Sequence, residues 1–492
     1  FNDILQSAAP STLWRKRMSK LIVLSNRVSL PHPDQATAGG LAVALQDALS
    51  DIGGVWLGWN GEQVKNSTAV HFNESKHNGV QYITCPLTQE QYQKYYSGFA
   101  NNTLWPAMHD RADLIQYNAE EYEVYQQVNR LFAQKLQKTA QADDIIWIHD
   151  YHFLSVAHYC RELGMQNRIG FFLHIPFASL KLWRLIPQAR LLIQDLSQYD
   201  VIGLQTEHDQ QQCLQVAAHY LGSAMSQNNM LQYKNHQVMV QCYPIGINPQ
   251  LIQHAAEQEK SNHYFDFAKM RQQKTIISVD RIDYSKGLIE RFNALAAFLK
   301  RNPEYQQHLT DLQIACPCRM DIAAYQNLFE ALKAKVQEIN HAFSQDDWLP
   351  IHCIHETVSH DNLMNIYRQS DICWVNSLRD GMNLVAKEFI AAQDPTDPGV
   401  LILSKYTGAA AQMSEALMVD PHDQSSMLKT LKKALGMSKA ERLVRYQHVM
   451  KGLKSFDIND WRNAILKDLS NCKDMNVFSL PASKHYPRVA RY

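Results

Sequence analysis

Residues 377–388 read SLRDGMNLVAKE, and this stretch decides both the fold and where to look for a site. An apolar run of strand composition at 372–375 leads into a glycine-containing turn, Arg379, Asp380 and Gly381, and Asn383 is a suitable N-cap for a helix opening at Leu384. Unpaired backbone N–H groups at that helix start face an anion. Asp380 precedes the helix and Glu388 lies about one turn inside it, with seven residues between them, so one carboxylate can take sugar hydroxyls while the other takes a ribose. Acidic residues around a helix start are also ordinary caps. The rest of the chain has to separate the two explanations.

Outward from this segment the same rhythm recurs. Short runs rich in Val and Ile, at 21–25, 55–58, 81–85, 145–149, 168–174, 201–205, 238–243, 275–280, 312–316, 349–354, 372–375 and 400–404, predict strands. Between them, 41–49, 122–138, 207–220, 288–300, 323–343 and 384–393 carry apolar residues at three-to-four spacing and predict helices. Strand and helix in alternation is the pattern of α/β folds with parallel sheets. The segment 243–249, with Pro244, Gly246 and Pro249, breaks the rhythm near the midpoint and reads as a hinge. We therefore expect two Rossmann-like, doubly wound domains facing a central cleft, an N-terminal domain at 18–245 and a C-terminal domain at 246–469. A tail at about 470–492 is expected to pack back on the first domain, and residues 1–17 read as a non-native or disordered extension.

At 492 residues the chain exceeds what one core usually supports, which agrees with two domains. Its 48 basic and 48 acidic residues cancel, leaving no electrostatic footprint for nucleic acid or an anionic membrane. No apolar run is long enough for a membrane span. Nine cysteines scattered without a framework suit a reducing cytoplasm.

Several clusters can carry chemistry. SNR at 25–27 followed by AGGLAVAL at 38–45 places Gly39 and Gly40 at a helix start where a phosphate can approach, with Arg27 to grip another. RIDYSKG at 281–287 sets Arg281 and Lys286 at a strand's carboxyl end, the competing explanation being an ion pair with Asp280 or Asp283. HDYH at 149–152 and HIPF at 174–177 offer Asp150 for sugar hydroxyls and His174 for a sugar or phosphate, although most histidines in a set of 21 are structural. Tyr96 and Trp105 can form a wall for a pyranose, or simply core, and Arg319 in CRMD adds a cation. His355, Glu356 and His360 resemble a zinc-protease motif, but histidines five apart on a helix point roughly 140° away from each other, so no metal is expected.

SNR with AGGLA, GWNGE at 58–62, YY with LWP, HDYH, HIPF, RIDYSKG and LRDGMNLVAKE occur in one order and spacing. Over about 18–476 the chain thereby resembles the bacterial trehalose-6-phosphate synthase family, retaining glucosyltransferases of the GT-B fold. The resemblance implies that Arg27, Tyr96, Asp150 and Arg319 bind glucose 6-phosphate. It also implies that Gly39, Gly40, Arg281, Lys286, Val358, Asp380, Leu384, Val385, Ala386, Lys387 and Glu388 bind UDP-glucose. Trp105 and His174 would govern anomer selectivity, with Arg281, Lys286, His174 and Asp380 forming the catalytic group. Two positions depart from the pattern: Cys318 stands where the family has Ser or Thr, and Thr357, Val358 and Ser359 stand where an aromatic often faces the base.

What the resemblance implies is transfer of glucose to the anomeric hydroxyl of glucose 6-phosphate with retention, giving trehalose 6-phosphate and UDP without a cofactor. With no obvious carboxylate nucleophile, same-face attack is expected, a leaving-group phosphate oxygen taking the acceptor's proton. Hinge closure on both substrates would keep water out. A role in osmotic stress and a homo-oligomeric state, dimer or tetramer, also follow from the family. A GT-B relative with another acceptor, such as glycerol 3-phosphate, or another donor base stays open, as does a non-catalytic sugar-phosphate regulator.

Overall fold

The apolar runs assemble into a nine-stranded and a six-stranded sheet. The computed structural model describes residues 19–475 apart from 29, 31–44, 46–48, 50–52, 223–228 and 259–263. Expectations for Gly39, Gly40, 1–17 and 476–492 lie outside the described residues.

The first sheet holds β1 (Leu21–Arg27), β2 (Gly54–Val64), β3 (Asn73–His77), β4 (Val80–Thr88), β5 (Ile145–His149), β6 (Arg168–Phe172), β7 (Val201–Leu204), β8 (Met230–Tyr233) and β9 (His236–Cys242), in the order 3-4-2-1-5-6-7-9-8. It is parallel except at its edges, where β3 and β8 run antiparallel to β4 and β9. The second holds β10 (Lys274–Arg281), β11 (Leu309–Cys316), β12 (Ile351–Ile354), β13 (Ile372–Val375), β14 (Val400–Ser404) and β15 (Leu417–Val419), all parallel, in the order 12-11-10-13-14-15.

The strands that the sequence reading missed are edge strands. β3 is exposed throughout and has no apolar period, because at a sheet edge nothing packs on it. Its one signal is Asn78-Gly79, both at positive φ, which closes a tight hairpin onto β4. β8 and β15, of four and three residues, are too short to show a period.

Two chain crossings join the sheets. Residues 243–248 lie in no regular element and lead into the helix Pro249–Glu257. Beside them runs a return crossing: the Ile458 N–H donates to the Ile247 carbonyl at 3.1 Å, and a Cβ on Gly246 would sit 2.5 Å from the Asp457 carbonyl carbon. The helix Ile458–Met475 then packs on the first sheet. Trp461 lies 5.0 Å from Trp147 and 5.1 Å from Phe172, ring to ring, and the Tyr243 hydroxyl donates to Asp468 at 2.7 Å. Apolar contact is continuous from the first sheet through Ile245, Ile247 and Trp461 into the second.

Strand order reverses between β1 and β5 in one sheet and between β10 and β13 in the other. Open parallel sheets bind ligands outside the carboxyl ends of strands at such points. Arg27, Asp150, Arg281 and Asp380 each lie at or just beyond one of these strand ends.

Candidate active site

On the second lobe, β10 ends at Arg281 and the chain turns through Ile282–Gly287. Asp283 caps this turn, its side chain accepting from the Ser285 N–H at 2.9 Å. Gly287 is required: its φ is +64° and a Cβ there would stand 2.3 Å from the Asn376 carbonyl oxygen. The turn delivers Lys286 to Asp380, Nζ to Oδ2 at 2.5 Å. The pairing with Asp280 or Asp283 weighed for Lys286 is thus replaced by one with a carboxylate distant in sequence, brought alongside because β10 and β13 are neighbours.

Asp380 also accepts from Ser377 Oγ at 3.2 Å and Asn383 Nδ2 at 3.1 Å. Burial favours its protonated form, but Lys286, with Asn383 and His109 after it, outweighs it and holds the carboxyl below its usual range. Asn383 caps the helix Leu384–Ala392 as expected, its side chain accepting from the Ala386 N–H at 3.1 Å. One turn in, Glu388 is buried and, among the described residues, no side chain pairs with it. Burial alone pushes its carboxyl up to about 7. Leu384 and Val385 are half-buried and Ala386 buried. Lys387 points elsewhere: its Nζ donates to the Ile245 carbonyl at 2.5 Å and to Gln412 Oε1 at 2.6 Å, so only its backbone is available to a ligand beside Glu388. Val358, past the end of β12, is half-buried against the second sheet's core.

On the first lobe, β5 ends at His149 and Asp150 follows with φ at +75°, a left-handed backbone that non-glycine residues rarely adopt. Asp150 accepts from the His174 N–H at 3.3 Å. Burial raises its carboxyl to about 6 against the pull of Arg281 and Arg319. His149 Nδ1 and His174 Nε2 are 3.0 Å apart, and burial lowers His174 to about 3, so the imidazole is neutral at physiological pH. Residues 92–104 form a helix wound more widely than an α-helix, the Trp105 N–H reaching back to the Ala100 carbonyl. Such turns concentrate at functional sites. The wide helix presents Tyr96, stacked on His152 at 5.9 Å and beside Trp59 at 5.6 Å. Arg27, exposed, lies 6.0 Å from the centre of the same Trp59 ring.

Arg319 joins the two lobes. It follows β11 but lies 3.9 Å over the Trp105 ring, and its Nη2 donates to Tyr151 Oη at 3.1 Å. Its Nη1 donates to Asp283 Oδ2 at 3.2 Å and Tyr325 Oη at 2.5 Å, while its Nε is buried without a partner. Arg281 lies 5.5 Å from the same Trp105 ring. Trp105, expected as a wall, is only 4% exposed, stacked at 4.1 Å on His109. Further along the interface, Asp321 takes the hydroxyls of Ser97 and Tyr92, and Arg379 lies 3.5 Å from Asp110. Gly381 sits against the His174 carbonyl, where a Cβ would come within 2.1 Å. A cavity of about 810 Å³ opens between the lobes beside Asp380, bordered by Gln205, Arg379 and Gln412 but not by Arg281 or Lys286.

The structure therefore gathers Arg281, Lys286, Asp380, Asp150, His174, Trp105 and Arg319 where the lobes face, with Tyr96 and Arg27 farther along the first lobe. Asp283, Tyr151 and Tyr325 hold this group together; from sequence Asp283 stood only as a competing ion-pair partner for Arg281 or Lys286, and Tyr151 and Tyr325 were not singled out. Tyr151 sits inside the HDYH motif, which was its only signal.

Residues 19–471 match the model of glycosyltransferase family 20. The chain belongs to that family. This family-20 glycosyltransferase is 41% identical over 455 residues to the trehalose-6-phosphate synthase of Sodalis glossinidius, covering 92% of this chain and 96% of that protein. Among solved structures it is similar to an α,α-trehalose-phosphate synthase (UDP-forming) from Burkholderia vietnamiensis, with a TM-score of 0.90, 41% identity and coverage of 94% and 99% of the two chains. It is also similar to a Burkholderia xenovorans enzyme of the same description in complex with glucose-6-phosphate, with a TM-score of 0.88, 38% identity and coverage of 92% and 100%. These neighbours share the GT-B architecture expected from the sequence.

Proposed function

We propose that this protein transfers glucose from UDP-glucose to the anomeric hydroxyl of glucose 6-phosphate, with retention, forming α,α-trehalose 6-phosphate and UDP. The observation that carries this reading is the meeting of three cations from one lobe, Arg281, Lys286 and Arg319, with Asp150, His174 and Trp105 of the other. Two phosphorylated substrates need cations at two separate points, and this arrangement supplies them.

Arg281 and Lys286 neutralise the departing diphosphate together with the N–H groups at the start of Leu384–Ala392, without a metal. Asp380 holds Lys286 until the donor arrives, then shares it while accepting hydroxyls of the donor sugar. Glu388, buried and unpaired among the described residues, takes the ribose. His174, a neutral imidazole, hydrogen-bonds the transferred sugar. Arg319, Arg27, Tyr96 and Asp150 take the acceptor, whose proton passes to a phosphate oxygen of the leaving group. A cytoplasmic location, which nine unpaired cysteines suit, and self-association into a dimer or tetramer extend the reading.

The purified protein, incubated with glucose 6-phosphate and each of UDP-, ADP- and GDP-glucose, is expected to release UDP and form a disaccharide phosphate with both anomeric linkages α by NMR, chelator present or not. Absence of UDP release with glucose 6-phosphate, or release only with glycerol 3-phosphate, would overturn the assignment.

A further inference from the structure

Asp283 is fully enclosed, and its two carboxylate oxygens have different partners. Oδ1 accepts from the Ser285 N–H at 2.9 Å and so shapes the turn that delivers Lys286. Oδ2 accepts from Arg319 Nη1 at 3.2 Å and from Tyr325 Oη at 3.2 Å, and Tyr325, itself buried, receives the same Arg319 nitrogen. Burial alone would raise this carboxyl, but Arg319, His109, Arg281 and the Ser285 N–H outweigh it and hold it at about 2, so it stays charged.

Arg319 is caged by these contacts. Tyr151 takes Nη2, the Trp105 ring lies 3.9 Å from the guanidinium, and the backbone is left-handed at φ +50°. Left-handed backbone at a non-glycine residue persists where surroundings over-determine it. The Nε, buried and without a partner, is a donor that this cage leaves for a ligand.

We propose that Asp283 is a positioning residue for the acceptor: anchored through one oxygen by the Ser285 N–H, it fixes the Arg319 guanidinium with the other, so that an unpartnered N–H of that guanidinium meets the acceptor's phosphate. This rests on the substrate assignment above. Tyr325 completes the anchor. Asp283 itself touches neither substrate.

Steady-state kinetics of Asp283→Asn and Tyr325→Phe test it, with KM measured separately for UDP-glucose and glucose 6-phosphate. Asparagine keeps one acceptor oxygen and loses the charge; phenylalanine removes only the bridge to Arg319. The KM for glucose 6-phosphate is expected to rise about tenfold in Asp283→Asn and several-fold in Tyr325→Phe, with the UDP-glucose KM within about twofold. In an Arg319→Ala background, Asp283→Asn should add nothing further to the acceptor KM. A purely structural cap would lower thermal stability and shift both KM values alike, and that result would overturn the proposal, as would full additivity with Arg319→Ala. Should Asp283→Asn not fold, Tyr325→Phe decides alone, an unchanged acceptor KM counting against the idea. Wild-type protein inactive with these two substrates would remove the assignment beneath it, a failure visible before any variant is compared.

Discussion

The Lys286–Asp380 pair and the Arg319–Asp283 pair sit in the same cleft and are built differently. The first is 2.5 Å long, its side chains 14% and 16% exposed, and every partner comes from loops after β10 and β13 of a single sheet. The second is 3.2 Å long and almost fully enclosed, at 5% and 0%, and the arginine also leans on Tyr151 and Trp105 from the opposite lobe. A site within one sheet stands whether or not the lobes approach, whereas a site shared across them exists only when they are together. On the proposed substrate assignment, the donor end is built within one lobe and the acceptor end draws on both.

The largest effect should come from the end built within one lobe. Lys286→Ala removes a fixed cation at the leaving group and is expected to lower kcat about 10²–10³-fold, as losing one preorganised charge-stabilising donor does. Unchanged turnover in a folded variant would refute its role, and a loss confined to the acceptor KM would erase the contrast between the ends.

Glu388 sharpens the same side. Its carboxyl is raised from 4.5 to about 7 by burial, so the folded chain keeps a proton that the unfolded chain has already lost between those values. The stability this group contributes is complete below about 4.5 and declines as pH rises through 7. Glu388→Gln should flatten that decline and gain up to about 3 kcal/mol over the parent above pH 7. Denaturant midpoints against pH check this, and parallel curves for the two proteins would count against a buried, unpaired carboxyl.

The smallest effect belongs to the shared end. Tyr151→Phe deletes one hydroxyl that receives Arg319 and itself donates to Asn101 at 2.8 Å. The expected loss is about 1 kcal/mol, or about fivefold, in the glucose 6-phosphate KM with the UDP-glucose KM unmoved. An equal loss for both substrates would mean that the two ends are one site.

Much of this was legible beforehand. Buried parallel strands announce themselves as apolar runs, so the strands flanking both switch points were placed within a few residues, and Asn383, Asp380 and Glu388 could be set around a helix start from local pattern alone. Exposed β3 escaped because an edge strand needs no apolar face. The wide helix 92–104 escaped because its turn is set by packing rather than by a local motif.

By itself, the order of residues determined the alternation of strand and helix and the turn residues at strand ends: these depend on neighbours a few positions away. Only the tertiary structure decided the pairings. Lys286 with Asp380, Arg319 with Asp283 and Tyr151, and Lys387 with the Ile245 carbonyl join residues that sheet order and lobe contact bring together over 94, 36, 168 and 142 positions of chain. A short-range pattern carries no record of which distant charge will stand opposite, because that is fixed by how two sheets pack and not by the spacing of residues along either one.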